Sequence, residues 1–220
     1  MPGCGKTTTA ALIAKRMGKG LVIARTESIV SSLLGNTEKN ISALFERCSR
    51  GDCVLFLDEI DSLSQSRESD GPKGGSAERE MERSTTVLLQ QFDKAPESLV
   101  VIGATNIPSE VDRALWRRFD FAVELPPPTE GQAWDLIASV CSNFDPAFSA
   151  IAKAAKEGAI ENGLWGKVNG LSFSDIKTIA QNAVKASIVR GEKTASIKAV
   201  EDSADMFLRN RPADIGGIKK

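Results

Sequence analysis

From Thr7 to Met17 the chain reads TTTAALIAKRM, rich in alanine and free of Gly and Pro until Gly18. That composition predicts a helix, ended by Gly18 and Gly20. Leu21–Ala24 follows as a short apolar, β-favouring run, and Thr37–Cys48 then places Ile41, Leu44 and Phe45 at helical spacing. Two more apolar runs, Cys53–Leu57 and Leu99–Ala104, are too short for buried helices and lie between polar segments, as internal parallel strands do. A fourth run, Phe121–Leu125, closes at Pro126 and reads as a further strand. Ser64–Ala77 carries glycines, a proline and mixed charge, and reads as a loop before a helix bearing Val87, Leu88 and Phe92. Strands alternating with helices predict an α/β fold, a parallel sheet covered on both faces and joined by right-handed crossovers. Beyond Pro126, Pro127 and Pro128 the β-type runs stop. Helical patterns follow near Gly131–Cys141, Phe148–Glu157, Ser174–Val189 and Ser196–Arg209, and the tail after Arg211 is expected to fray. The expected organisation is therefore an α/β domain over 1–128 and a small all-α domain over 129–220.

Composition narrows the class without naming a function. The 220 residues are 41% hydrophobic and 26% charged, which fits a folded globular chain of one or two domains. A net charge of −1 gives no footprint for nucleic acid, and no apolar run approaches the roughly 20 residues that span a bilayer. Cys4, Cys48, Cys53 and Cys141 lack CxxC spacing, and there is no histidine to complete a mixed zinc site. With no basic and apolar leader at the N-terminus, the expectation is a cytoplasmic protein with reduced thiols.

The candidate chemistry begins at Gly3-Cys4-Gly5-Lys6-Thr7. Glycines let backbone N–H groups converge on an anion, and a helix start favours negative charge there. In the pattern G-x-x-x-x-G-K-[ST], Lys6 reaches the β- and γ-phosphates and Thr7 places its hydroxyl on Mg²⁺. Alone, the run could be a glycine-rich turn. The first glycine of the pattern would precede Met1, so an incomplete cradle is expected from these residues. A second element is VLFLDEID at 54–61, where a buried strand brings Asp58 and Glu59 to its C-terminal end, the usual ligand side of such sheets. There Asp58 would hold Mg²⁺ and Glu59 would orient, or take a proton from, the water attacking a γ-phosphate. An isolated Asp-Glu pair would more simply be solvated at a strand end; paired with Gly5-Lys6-Thr7 it forms a set.

MPGCGKTT at 1–8, VLFLDEID, IGATN at 102–106 and ALWRRFD at 114–120 stand in the order and spacing of the AAA branch of AAA+ ATPases, and the chain resembles that family over nearly its whole length. The resemblance implies an α/β P-loop NTPase parallel sheet, its first and central strand missing here, followed by a small all-α lid. It implies ATP and Mg²⁺ as cofactors, with Gly3, Cys4, Gly5, Lys6, Thr7 and Thr8 on the nucleotide and Thr7 and Asp58 on the metal. Asn106 matches the sensor-1 asparagine, which in the family bonds the γ-phosphate or the attacking water. Arg117 and Arg118 match the paired arginine fingers, which reach the neighbouring subunit's site, so the implied active unit is a homo-oligomer, usually a hexameric ring. The missing Pro-Gly between these arginines and Phe119 resembles katanin, spastin, the vacuolar-sorting AAA ATPases and bacterial relatives.

Two regions depart from the family's pattern. Glu27–Cys48 resembles the segment from pore loop 1 into the next helix, but Leu33 and Ser32 stand where an aromatic beside a basic residue usually grips a polypeptide. Local packing of Leu33 and Leu34 is the other reading. Gly170–Ile176 resembles the sensor-2 region that touches adenine, with Phe173 and Ser174 in place of a Gly-Ala pair. The implied function is ATP hydrolysis coupled to remodelling of a client protein; the alternative is a weakly hydrolysing regulatory or scaffold subunit. A nucleic-acid motor is not supported by the charge.

Overall fold

A computed structural model describes residues 1–25, 37–63, 76–148, 152–153, 163–193 and 195–211. Ser32 and Leu33, most of the Ser64–Ala77 loop, much of the helix read over Phe148–Glu157 and the tail beyond Arg211 lie outside the described residues. The elements in chain order are α1 (Lys6–Arg16), β1 (Gly20–Arg25), α2 (Thr37–Arg50), β2 (Cys53–Asp58), α3 (Ser76–Lys94), β3 (Val100–Gly103), α4 (Arg113–Trp116), α5 (Glu130–Ser142), α6 (Leu164–Val168), α7 (Phe173–Val189) and α8 (Ile197–Asn210). Short 3-10 turns cover Ile60–Leu63 and Pro108–Glu110. The chain forms two compact units, one spanning Lys6–Glu124 and the other combining Met1–Gly5 with Leu125–Lys220.

In the first unit the strands pair in parallel in the order β1-β2-β3. Gly20 faces Cys53 and Arg25 faces Asp58 across the first pairing; Val54 faces Val100 and Leu57 faces Gly103 across the second. Alternate residues serve opposite faces. On one, Phe56 packs with Ala10 of α1, Ala104, Leu21 and Ile102. On the other, Leu55 and Leu57 join Val22, Ala24 and Val101 beneath Ile41, Phe45 and Cys48 of α2 and Leu88 of α3. Val54–Leu57 are buried to 1% exposure or less, which explains the uninterrupted apolar reading of β2. Each such side chain is worth about 1.5–3 kcal/mol of burial. Phe92 stacks edge-on between Phe45, at 5.6 Å, and Phe119, at 5.3 Å, and so ties α2 and α3 to the segment after α4.

The strand expected at Phe121–Leu125 is not formed. Residues 121–129 carry neither helix nor strand, and Phe121 and Val123 are 88% and 81% exposed. The alternation is strand-like, but a strand exists only through a hydrogen-bonded neighbour, and among the described residues β3 pairs with β2 alone.

In the second unit α5, α6, α7 and α8 enclose one apolar core built from Trp134, Ile137 and Cys141 of α5, Leu164 and Val168 of α6, Ile176 and Ile179 of α7 and Val200 of α8. Three starts are set by side-chain caps: Thr129 with Gln132, Ser172 with Asp175, and Ser196. No helix among the described residues is long and apolar enough to cross a membrane.

Candidate functional site

The glycine run owes its path to two left-handed backbones, φ +75° at Gly3 and φ +93° at Gly5, a region that side chains other than glycine rarely enter. At Gly3 space is a second constraint. A Cβ there would lie 2.0 Å from Ser174 Oγ and 2.7 Å from Ser172 Oγ, and the Ser174 N–H donates to the Gly3 carbonyl at 3.2 Å. Cys4 is buried. α1 begins at Lys6, with Thr7 and Thr8 exposed in its first turn and no acidic residue there to compete for an anion.

At the C-terminal end of the sheet, β2 ends at Asp58 and the chain turns at once. Glu59 has φ +59° and is the only described non-glycine residue with a positive φ. Such a backbone costs about 1–2 kcal/mol for an L-residue and is held only where the surroundings fix it. They do so here. The Ile60 N–H donates to the Ala104 carbonyl at 3.0 Å and the Ala104 N–H to the Leu57 carbonyl at 2.8 Å, splicing the ends of β2 and β3 on either side of the turn. The Glu59 N–H donates to Asp58 Oδ1 at 3.2 Å. Asn106 follows β3 in a turn closed by the Ile107 N–H on Thr105 Oγ1, 2.9 Å. Lys6 Nζ donates to Asn106 Oδ1 at 2.5 Å, joining side chains 100 positions apart.

The two arginines differ in setting. α4 is capped by Asp112, whose carboxylate accepts the Ala114 N–H at 2.6 Å, and Arg117 closes its C-terminus as an exposed residue. Arg118 lies in a two-pronged pair with Asp93 of α3, Nε at 3.1 Å and Nη2 at 3.0 Å. The hydrogen bond to Arg118 holds the Asp93 carboxyl below its ordinary value, and Asp93 in turn raises the Arg118 guanidinium. Phe119 packs so closely that a Cβ on Gly103 would meet its ring at 2.7 Å.

In the helical unit Phe173 and Ser174 are the first residues of α7, Phe173 half-buried and Ser174 exposed; the cap is Ser172, whose Oγ accepts the Asp175 N–H at 3.2 Å. Lys6 with Asn106, and Ser174 with Gly3, are thus brought together from distant parts of the sequence. Two contributors were not singled out from the sequence. Ser172 was readable as the cap of a Ser-x-x-Asp box, whereas Asp93 carries no local signal, because its partner lies 25 positions on.

Residues 1–127 match the family described as "ATPase family associated with various cellular activities (AAA)". The AAA family ATPase y4kL of Sinorhizobium fredii is 32% identical over 192 residues, which are 87% of this chain and 53% of that protein. The peroxisomal ATPase PEX1 of Saccharomyces cerevisiae is 31% identical over 95% of this chain and 20% of its own length. The AAA domain-containing protein FIGL1 of Arabidopsis thaliana is 37% identical over 60% of this chain and 20% of its own. Among solved structures, the FIGL-1 AAA domain in complex with ADP superposes with a TM-score of 0.70 at 24% identity, over 96% of this chain and 70% of that one. The chain thus spans about half the length of y4kL and a fifth of PEX1. With its glycine run, its Asp58-Glu59 strand end and its parallel sheet all inside the matched residues, the chain belongs to the AAA family of ATPases.

Proposed function

We propose that this chain is the ATP-binding and hydrolysing module of a protein remodeller, with a nucleotide-binding domain over 1–128 and a helical lid over 129–220. The observation that carries the reading is the convergence of Lys6 on Asn106 beside the strand end that bears Asp58 and Glu59. Lys6 leads α1 directly after two left-handed glycines, a geometry that suits the terminal phosphates of a nucleotide. In this reading Gly3, Cys4, Gly5, Lys6, Thr7 and Thr8 hold the phosphates, and Phe173 and Ser174 flank the nucleotide from α7. Among the described residues no three acidic or cysteine side chains form a metal cluster of their own. In this reading Mg²⁺ would be held by Thr7 and Asp58 together with phosphate oxygens and water, as Mg²⁺ commonly is in nucleotide sites. It would supply neutralisation of phosphate charge.

The remaining roles belong to the chain's own side chains. Glu59, fixed by its backbone turn, orients the attacking water and accepts its proton. Asn106 positions that water or the γ-phosphate. Arg117 and Arg118 serve the neighbouring subunit's site in a homo-oligomer, hexameric by the family's habit, and such a finger is worth about 10³–10⁵ in rate. PEX1 is named a peroxisomal ATPase, and RIX7 of Saccharomyces cerevisiae, 31% identical over 215 residues, a ribosome biogenesis ATPase. Work on a client protein is the corresponding reading for this chain.

The test compares steady-state ATPase activity of the protein with that of Glu59→Gln, alongside nucleotide binding. Turnover should fall by about 10²-fold or more while binding is kept. Equal activity in the two would remove Glu59 from the chemistry; binding without turnover in both would favour a regulatory subunit.

A further inference from the structure

The described thiols are all free, yet two of them are neighbours. Cys48 lies near the end of α2 and is 1% exposed; Cys53 opens β2 and is the only cysteine of the four that is not buried. Between them the chain doubles back tightly. The Gly51 N–H donates to the Arg47 carbonyl at 3.0 Å, the Cys53 N–H donates to the Gly51 carbonyl at 3.0 Å, and Cys53 Sγ donates to the Cys48 carbonyl at 3.5 Å. Burial, then Cys53, push the Cys48 thiol up to about 11, so Cys48 is a poor first nucleophile. Access and reactivity therefore divide between the two sulfurs.

We propose that Cys48 and Cys53 form a redox-responsive pair, oxidised to an intramolecular disulfide by low-molecular-weight disulfides of the glutathione type. The Cys53 thiolate attacks one sulfur of the oxidant, breaking its S–S bond, forming a mixed disulfide and expelling one thiolate. Cys48 gives up its proton, which passes to the expelled thiolate. The Cys48 sulfur then attacks the Cys53 sulfur and expels the second thiolate, which takes its proton from solvent in exchange for the one lost when Cys53 ionised. Both electrons end on the oxidant, now two thiols, and the chain holds one new S–S bond. The bond would staple the end of α2 to the start of β2, where the Gly20 N–H donates to the Asp52 carbonyl and Lys19 pairs with Asp52 at 3.2 Å. At about 3.3 Å per residue this end of β2 lies roughly 17 Å from Asp58, so the staple and the proposed hydrolytic site are separable.

Incubating the folded full chain with oxidised glutathione should remove two hydrogens from its intact mass, and peptide mapping should find Cys48 joined to Cys53. Cys4 and Cys141 should stay unmodified. In Cys48→Ser a glutathione adduct should persist on Cys53, and in Cys53→Ser neither adduct nor disulfide should form at the same dose. A stable glutathione adduct on Cys53 of the unsubstituted chain, or a Cys48–Cys53 bond that appears only after unfolding in denaturant, would overturn the proposal.

Discussion

The demands on single residues are sharpest where backbone and space coincide. Gly3 combines φ +75° with a Cβ position only 2.0 Å from Ser174 Oγ, so Gly3→Ala meets a backbone penalty and a clash together. The expected loss is about 1–3 kcal/mol, read as a lowered unfolding midpoint. Adding Ser174→Ala to Gly3→Ala should recover the share of the clash due to Ser174 Oγ and leave the contact with Ser172 Oγ at 2.7 Å and the backbone part. At Gly5 a Cβ would find open space, so Gly5→Ala should cost only the conformational penalty of its φ of +93°. Glu59 is the reverse case. It holds a positive φ without being glycine, a strain kept in place by the bonds of Ile60 and Ala104 across the strand ends.

At the scale of elements, burial explains both cohesion and a pH dependence. The fully buried thiol of Cys141 on α5 is raised to about 11 by desolvation. Above the ordinary thiol value of the unfolded chain, the unfolded state sheds a proton that the folded state keeps. This contribution to stability is therefore full below that value and is lost as pH rises toward about 11. Unfolding midpoints taken from about pH 8 to about pH 11 should fall less steeply in Cys141→Ala than in the parent. The capping box of α7 is a second element-scale device. Ser172→Ala removes the acceptor of the Asp175 N–H and should cost about 1 kcal/mol of stability, measured by denaturant titration.

For the whole molecule, the consequence of two compact units is two separate cores. Leu55 is buried among β1, β2, α2 and α3, and Ile179 among the helices of the other unit. Truncation to Ala at either should cost about 2–5 kcal/mol in its own core. By hydrogen exchange, Leu55→Ala should speed exchange in β1, β2 and β3 while α5 and α7 keep their protection, and Ile179→Ala should do the opposite. Uniform loss of protection in either variant would mean that the two cores melt as one.

Local pattern determined much of this protein. Apolar runs placed β1, β2 and β3, most plainly β2, whose Val54–Leu57 are buried on both faces and admit no polar interruption, and helical spacing placed α2 because one stripe of it, Ile41, Phe45 and Cys48, is buried. The glycines around Cys4 and the Asp-Glu ending β2 were legible as a candidate site because the residues that would compose each part are adjacent in sequence. Tertiary structure alone decided the rest. Phe121–Leu125 alternates like a strand, yet strand formation depends on a neighbour that the segment's own residues cannot supply. The bond of Lys6 to Asn106, the hold of Asp93 on Arg118 and the contact of Ser174 with Gly3 join positions far apart in sequence. Such meetings follow from how strands and helices are stacked, which no local pattern encodes.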